Sequence, residues 1–339
     1  MTKSAISPQQ QKQINLAVNL LTAGEVVAFP TETVYGLGAE VTNPTAIKRI
    51  YEIKQRPTNH PLIVHIDDIA HLNYWAKDIP EIAWKLANQF WPGPLTLILQ
   101  RNHRVSDLVT GGQDTVGIRV PAHPVALALL KSLGPDRALA APSANRFGHI
   151  SPTTAEHVQQ EFGQQIKMIL DGGACEVGLE STIIRVENET AQILRPGGIS
   201  LSALGAVLNE PTIITSKKQT EIRTPGNLLS HYAPTTPLQI YNTENIWDHA
   251  LAFASRGLRS IVIDRSQNQV SKPQHALIHN YTMPSDPVEY GRKLYAVLRK
   301  YDNNNFDQIL VETPPDHSSW LAITDRLQRA SHKVNHNYE

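Results

Sequence analysis

Apolar positions in the first two hundred residues fall into short runs of two different periods. Ile14, Ala17, Val18 and Leu21 recur at helical spacing behind Ser7-Pro8, and Ala23-Gly24 ends the pattern, which predicts a helix. Val26-Val27-Ala28-Phe29 is an unbroken apolar run closed by Pro30, the mark of a buried strand. Helical spacing resumes behind Asn43-Pro44, through Ala46, Ile47, Ile50 and Tyr51. Strand-like runs then fall at 62–66, 95–99, 115–120, 139–141, 168–170, 181–186 and 191–195. They are too closely spaced for regular βαβ repeats, so the pattern predicts an α/β fold built on a mixed sheet with several hairpins.

The pattern breaks between Pro211 and Pro237, where the chain turns polar and carries Pro225-Gly226, Ala233-Pro234 and Thr236-Pro237, the profile of an extended linker. Beyond it, strand-like 238–241, helix-like 247–255, strand-like 261–263, helix-like 287–301, strand-like 308–311 and helix-like 320–330 alternate. Regular alternation predicts a small open sheet of mainly parallel strands, a Rossmann-like three-layer unit. The expected division is a catalytic domain at 1–210, a linker at 211–237 that crosses the active site, and a smaller α/β domain at 238–339.

Composition narrows the function. The 31 Lys and Arg balance 31 Asp and Glu, so no broad electrostatic footprint for nucleic acid or an acidic membrane exists, although a local basic groove is compatible with zero net charge. One cysteine, Cys175, excludes an internal disulfide framework and a multi-cysteine zinc site, and points to a reducing, cytoplasmic setting. No apolar run approaches the roughly 18 residues of a membrane helix, and the N-terminal segment lacks the apolar core of a secretory signal.

Motifs of hydride transfer, P-loop chemistry, serine hydrolysis and zinc proteolysis are absent: Gly36-Leu37-Gly38 lacks a third glycine at 41, and no GxxxxGK[ST], GxSxG or HExxH occurs. Five polar clusters remain. Residues 29–38, FPTETVYGLG, run from a buried strand into hydroxyls, a carboxylate and glycines, a way to expose backbone N–H groups beside a ligand; a glycine-bearing turn with a capping Thr reads the same locally. Lys54-Gln55-Arg56-Pro57 sets two cations one residue apart, able to hold polyphosphate oxygens or simply to end a solvated helix. In the strand 115–120, Thr115, Gly117 and Arg119 share one face, and Arg119 on a strand built for burial calls for a carboxylate partner, from the protein or from an acidic ligand. Residues 141–145, APSAN, with Ser151-Pro152-Thr153, offer small side chains and hydrogen-bonding groups. The fifth cluster runs from Asp171-Gly172-Gly173 through Ser181-Thr182 to Arg195-Pro196-Gly197.

In order, FPTETVYGLGA, KQRP…HPLIVH, TVGIRVP, APSAN…SPT and GLESTI…RPG follow the signature segments of YrdC-like proteins, and the chain resembles that family over essentially its whole length. The linker's Pro225-Gly226…Ser230-His231-Tyr232-Ala233-Pro234 and the C-terminal α/β unit resemble its longer, two-domain branch. The resemblance implies a twisted mixed sheet with a concave basic groove plus the appended Rossmann-like domain. It also implies a nucleotidyltransferase reaction in which L-threonine, bicarbonate or CO2, and ATP give threonylcarbamoyl-adenylate and pyrophosphate. The product would feed a threonylcarbamoyl-transferase complex that modifies the adenosine beside the anticodon of tRNA. By the same resemblance Lys54, Arg56, Ser143 and Asn145 are the catalytic set. Arg56, His60 (where many members carry Asn), Thr115, Ser143, Ser151, Arg195 and His231 or Tyr232 bind ATP. Thr33, His65, Arg119, Ala141 and Ser181 hold L-threonine. Mg2+ would ride on the ATP phosphates without a cage of protein side chains. Weak tRNA binding in the groove is the competing reading. Carbamoyl-phosphate-dependent transferases that contain such modules carry cysteine-rich zinc segments, which a single cysteine does not supply.

Overall fold

Helix starts in this chain are local events. Ser7 accepts from the Gln10 backbone N–H while the Gln10 side chain returns to the Ser7 backbone, and Pro8 sets the first helical φ, which opens α1 (Pro8–Thr22). Asn43 accepts from the N–H groups of Thr45 and Ala46, both at 3.1 Å, to open α2 (Pro44–Lys54). The computed structural model describes residues 6–187, 190–208, 213–214, 222–226, 232–265, 272–302 and 304–332. It divides into two compact units, one of Met1–Phe147 and Ser151–Asn227, the other of Gly148–Ile150 and Leu228–Glu339.

The first unit is a mixed sheet with helices α1 to α7; α3 is Glu81–Phe90, α4 Asp107–Thr110, α5 Pro124–Leu133, α6 Ala155–Phe162 and α7 Leu201–Leu208. Its strands are β1 (Val27–Phe29), β2 (Gly36–Glu40), β3 (Ile63–His65), β4 (Leu95–Gln100), β5 (Thr115–Arg119), β6 (Leu139–Ala140), β7 (Thr182–Glu187), β8 (Thr190–Arg195) and β9 (Ile213–Ile214). They lie in the order β1-β2-β6-β3-β5-β4-β7-β8-β9. Period-two alternation sends Val64, Leu97, Val116, Ile118 and Ile184 into one core, where Ile47 and Ile50 of α2 and Leu86 of α3 cover them. The opposite face is covered at its β1 end by α1 and α5, through Ile14, Leu21, Leu129 and Leu130 against Val27 and Phe29. The rest of that face carries Thr96, Ile98, Thr115, Gly117 and Arg119, and the site is built there.

The second unit is a four-stranded parallel sheet in the order β10-β13-β11-β12, made of β10 (Leu238–Tyr241), β11 (Ser260–Arg265), β12 (Ile278–Met283) and β13 (Gln308–Glu312). Helix α8 (Ile246–Ala254) packs Ile246, Trp247 and Ala250 on Val262 and Leu310, while α9 (Pro287–Tyr301) and α10 (Leu321–Ser331) bury Tyr290, Leu294, Leu298, Ile323 and Leu327.

Three readings of the sequence change. Gly36–Glu40 is a full strand, paired with β1 and β6, rather than a turn, because Gly36 and Gly38 leave room for the Phe29 ring, 3.2 and 2.8 Å from where their Cβ atoms would be. Residues 168–170 make only an isolated bridge with Ala28, since Asp171-Gly172 turns the chain away after two hydrogen bonds. Strand β12, with polar His279, Asn280 and Thr282, carries no apolar run to announce it. Among the described residues no helix is long and apolar enough to cross a membrane.

Candidate active site

Register decides which of the sequence clusters meet. Strands β3 and β5 run parallel with Ile63 opposite Gly117 and His65 opposite Arg119. Strand β6 runs antiparallel beside β3, and the Ala141 N–H donates to Ile63 O at 2.9 Å. His65 and Arg119 are thereby brought side by side at the ends of β3 and β5, with Ala141 beside Ile63 at the start of β3. Arg119 is 4% exposed, and its guanidinium is held at three points: Nε donates to Gly93 O (3.1 Å), Nη1 to Thr33 Oγ1 (2.8 Å) and Nη2 to Glu32 Oε1. Glu32 Oε2 also accepts the Ala122 N–H at 3.0 Å. The carboxylate partner that Arg119 demanded is thus a protein side chain, Glu32. Each terminal nitrogen of Arg119 still carries a second N–H, enough to recognise a further carboxylate. Glu32 escaped assignment in the sequence; its signal was a carboxylate between two threonines, directly after a buried strand.

His65 lies in the same buried corner, its ring edge-on to Phe29 at 5.8 Å and its Nδ1 3.1 Å from Ile63 O. Burial, with the Arg119 charge second, lowers its pKa to about 3, so it is neutral at pH 7. An unfolded chain protonates this histidine near 6.5, whereas the native state resists until about 3. Between those values the unfolded state binds more protons, so the contribution is complete above pH 6.5 and is lost as the pH falls. Denaturant unfolding between pH 7 and 4 is expected to give a stability slope of up to about 1.4 kcal/mol per pH unit from this group, reduced in His65→Gln. Equal slopes in the two proteins would remove His65 from the account.

A second cluster forms around the end of α2. Lys54 and Arg56 are 1% and 6% exposed, which rules out a solvated helix end. Gln55 between them adopts φ 52°, the left-handed C-cap that turns the chain so both cations point into the protein. Lys54 Nζ donates to Ser143 O (2.6 Å) and to Asn145 O, and the Phe147 N–H returns to Lys54 O (2.9 Å). Burial first, then Arg56, pushes the Lys54 pKa well below its ordinary value, and Glu161 opposes them. Arg56 donates to His60 O (3.3 Å) and Pro61 O (2.9 Å) and lies over the Phe147 ring. The His60 ring meets the same phenylalanine edge-on at 5.1 Å. Burial, Arg56 and Arg223 lower the His60 pKa to about 4.

The third cluster joins the fifth sequence segment to the sheet. Ser181 Oγ lies 2.8 Å from Thr96 Oγ1, and Arg195 Nη2 donates to Ser181 O (2.9 Å) and Oγ (3.2 Å). Ser151 Oγ donates to Glu180 Oε1 at 2.6 Å. Gly197 is wedged against this turn: a Cβ there would stand 2.4 Å from both Glu180 O and Thr182 N. Thr115 begins the strand that ends at Arg119, about 13 Å away at 3.3 Å per residue. It also lines a cavity of about 200 Å³ with Ile98, Gln100 and Arg185.

Tyr232, whose φ is 61°, lies in the second unit, its ring buried and stacked on Tyr295 at 5.8 Å with the Arg326 guanidinium 5.1 Å above it. His231 lies outside the described residues. Cys175 is 3% exposed, and burial raises its thiol pKa strongly, which fits a structural rather than nucleophilic role.

Residues 19–197 match the Sua5, YciO and YrdC family model, described as "Telomere recombination", and residues 199–332 match the model described as "Threonylcarbamoyl-AMP synthase, C-terminal domain". The chain belongs to the threonylcarbamoyl-AMP synthase family. It is 37% identical to the threonylcarbamoyl-AMP synthase of Pyrococcus abyssi across 95% of each chain, and 40% identical to that of Bacillus subtilis across 94% of this chain and 93% of the other. The crystal structure of P. abyssi Sua5 complexed with L-threonine superposes with a TM-score of 0.86 at 37% identity, covering 95% of this chain and 94% of that one. Membership of the family makes the chain an enzyme of the nucleotidyltransferase kind.

Proposed function

We propose that the protein condenses L-threonine, bicarbonate or CO2, and ATP to threonylcarbamoyl-AMP and pyrophosphate, with the threonine held at the Arg119 end of β5 and the nucleotide extending toward Thr115, Arg56 and Lys54. The observation that carries the reading is this polarity of the sheet face. A buried guanidinium with spare N–H groups stands at one end, and buried cations beside small hydroxylic residues stand toward the other.

The threonine carboxylate would take the second N–H groups of Arg119, with Thr33, His65, Ala141 and Ser181 enclosing the rest of the amino acid. Threonine's amine adds to the carbon of CO2 and loses a proton. The resulting carbamate oxygen then forms a bond to the α-phosphorus as the bond to the bridging oxygen breaks and pyrophosphate leaves. No protein nucleophile is required, so the contribution of the site is alignment and fixed positive charge. Lys54 and Arg56 would neutralise the departing pyrophosphate with Ser143 and Asn145. Thr115, Ser151, Arg195 and His60 would hold the nucleotide. ATP would enter as its Mg2+ complex, the ion being part of the substrate and held mainly by phosphate oxygens and water. The product suits a downstream transferase that passes its threonylcarbamoyl group to tRNA and releases AMP, and the site of action is the cytoplasm.

Pyrophosphate release from ATP is expected to require both L-threonine and bicarbonate. Release that ignores either one would overturn the assignment, as would salt-sensitive tRNA binding without any release.

A further inference from the structure

Residues 222–226, which the sequence shows only as part of a polar linker, lie inside the first unit and are tied to its sheet face. Ile222 packs on the small apolar cluster of Ile98, Ile183 and Leu194. The Gln113 side-chain amide grips the Arg223 backbone at both of its hydrogen-bonding groups: Nε2 donates to Arg223 O (3.0 Å), and Oε1 accepts the Arg223 N–H (2.7 Å). Arg195 Nη1 donates to Pro225 O at 2.8 Å. The segment is therefore pinned between Gln113, two residues before Thr115, and Arg195, both beside the proposed nucleotide site.

This seat fixes where the Arg223 side chain goes. Its Nη2 donates to Gly111 O at 2.7 Å. Gly111 in turn abuts Asn59 so closely that a Cβ on it would stand 2.6 Å from Asn59 O. Asn59 precedes His60, whose carbonyl accepts from Arg56 Nε. One short backbone path thus connects the Arg223 guanidinium to the Arg56 corner. Arg223 is exposed, and among the described residues it has no carboxylate partner. A cation brought to the edge of a site that already holds two others is unfavourable unless an anion joins them.

We propose that Arg223 is a further binding residue for the polyphosphate of ATP, and that Gln113 is the residue that positions it. The inference rests on the nucleotide reading given above. Both Arg56 and Arg223 act on the His60 imidazole, as expected of two guanidinium groups that share one electrostatic neighbourhood. A bidentate phosphate contact is what arginine's planar fork serves and what a lysine reproduces only in part.

The test is equilibrium binding of ATP and of AMP to the full-length chain, with kinetics of pyrophosphate release alongside. Arg223→Ala is expected to weaken ATP binding about ten- to hundredfold while AMP, which lacks the outer phosphates, changes by less than about threefold. The KM for ATP should rise with the KM for threonine unchanged, and Arg223→Lys should recover part of the loss. Gln113→Ala should show the same ATP-selective pattern at smaller size, and combining it with Arg223→Ala should add nothing, because the clamp acts only through the arginine. Equal losses for ATP and AMP, or none for either, would overturn the contact; additive effects in the double variant would overturn the positioning role. If the wild-type chain fails to release pyrophosphate with threonine and bicarbonate, the functional reading falls. If it succeeds and Arg223→Ala binds ATP normally, only this inference falls.

Discussion

Arg119→Ala is expected to raise the threonine requirement by about a hundredfold or more while the ATP requirement changes little. It should also lower stability by about 3–5 kcal/mol. Both effects come from one geometry. In the proposed reading the guanidinium is the fixed cation at the amino-acid end of the face, and its spare N–H groups are what a carboxylate would bind. The same side chain neutralises Glu32, whose buried carboxylate would otherwise keep only the Ala122 N–H. Removing one partner of such a buried pair leaves an uncompensated charge, which costs far more than the pair contributes. Combining the change with Glu32→Gln should recover stability without recovering threonine affinity, which separates the two roles. Steady-state kinetics with each substrate varied, alongside denaturant unfolding, checks this. A larger effect on ATP than on threonine would show that Arg119 does not read the carboxylate.

Lys54→Ala is expected to slow threonylcarbamoyl-AMP formation by at least about a hundredfold while threonine binds as before. Electrostatic groups aimed at developing charge typically contribute on this scale. The Lys54 Nζ is buried and already positioned by two backbone carbonyls, so in the proposed reaction no reorganisation of the side chain is needed when pyrophosphate charge develops. Those carbonyls lose their donor in the variant, and stability should fall by about 1–3 kcal/mol. Lys54→Met, which keeps the packing of the side chain, should be as inactive as Lys54→Ala, because the missing element is charge. Single-turnover pyrophosphate release and calorimetric threonine binding provide the two readouts. Normal turnover in either variant would reduce Lys54 to a structural cap of the 143–145 segment.

The candidate site was legible in part because several of its residues are costly in their positions. A lysine and an arginine at the end of an apolar helix, an arginine on a strand with a buried face, and a run of small hydroxylic residues each contradict the local pattern around them. What the pattern does not carry is pairing. Glu32 and Arg119 are 87 residues apart, Lys54 and Ser143 are 89 apart, and Gln113 and Arg223 are 110 apart. In each case the contact depends on how the tertiary fold brings distant segments together. The Gly36–Glu40 strand was hidden for a related reason: its glycines read as a turn until the Phe29 ring that fills the space above them is known.

The sequence by itself determined the starts of α1 and α2, through Ser7, Asn43 and the prolines that follow them, and most strand runs of both units, β2 and β12 apart, through apolar period and length. Those features are set by backbone hydrogen bonding and burial within a few residues of each position. Only the tertiary structure decided that Glu32 would answer Arg119, that Tyr232 would stack on Tyr295, and that Gln113 would clamp the backbone of Arg223. Such contacts join polar groups from distant segments, and a buried polar group is satisfied by whichever partner the topology brings within about 3 Å, which no local pattern specifies.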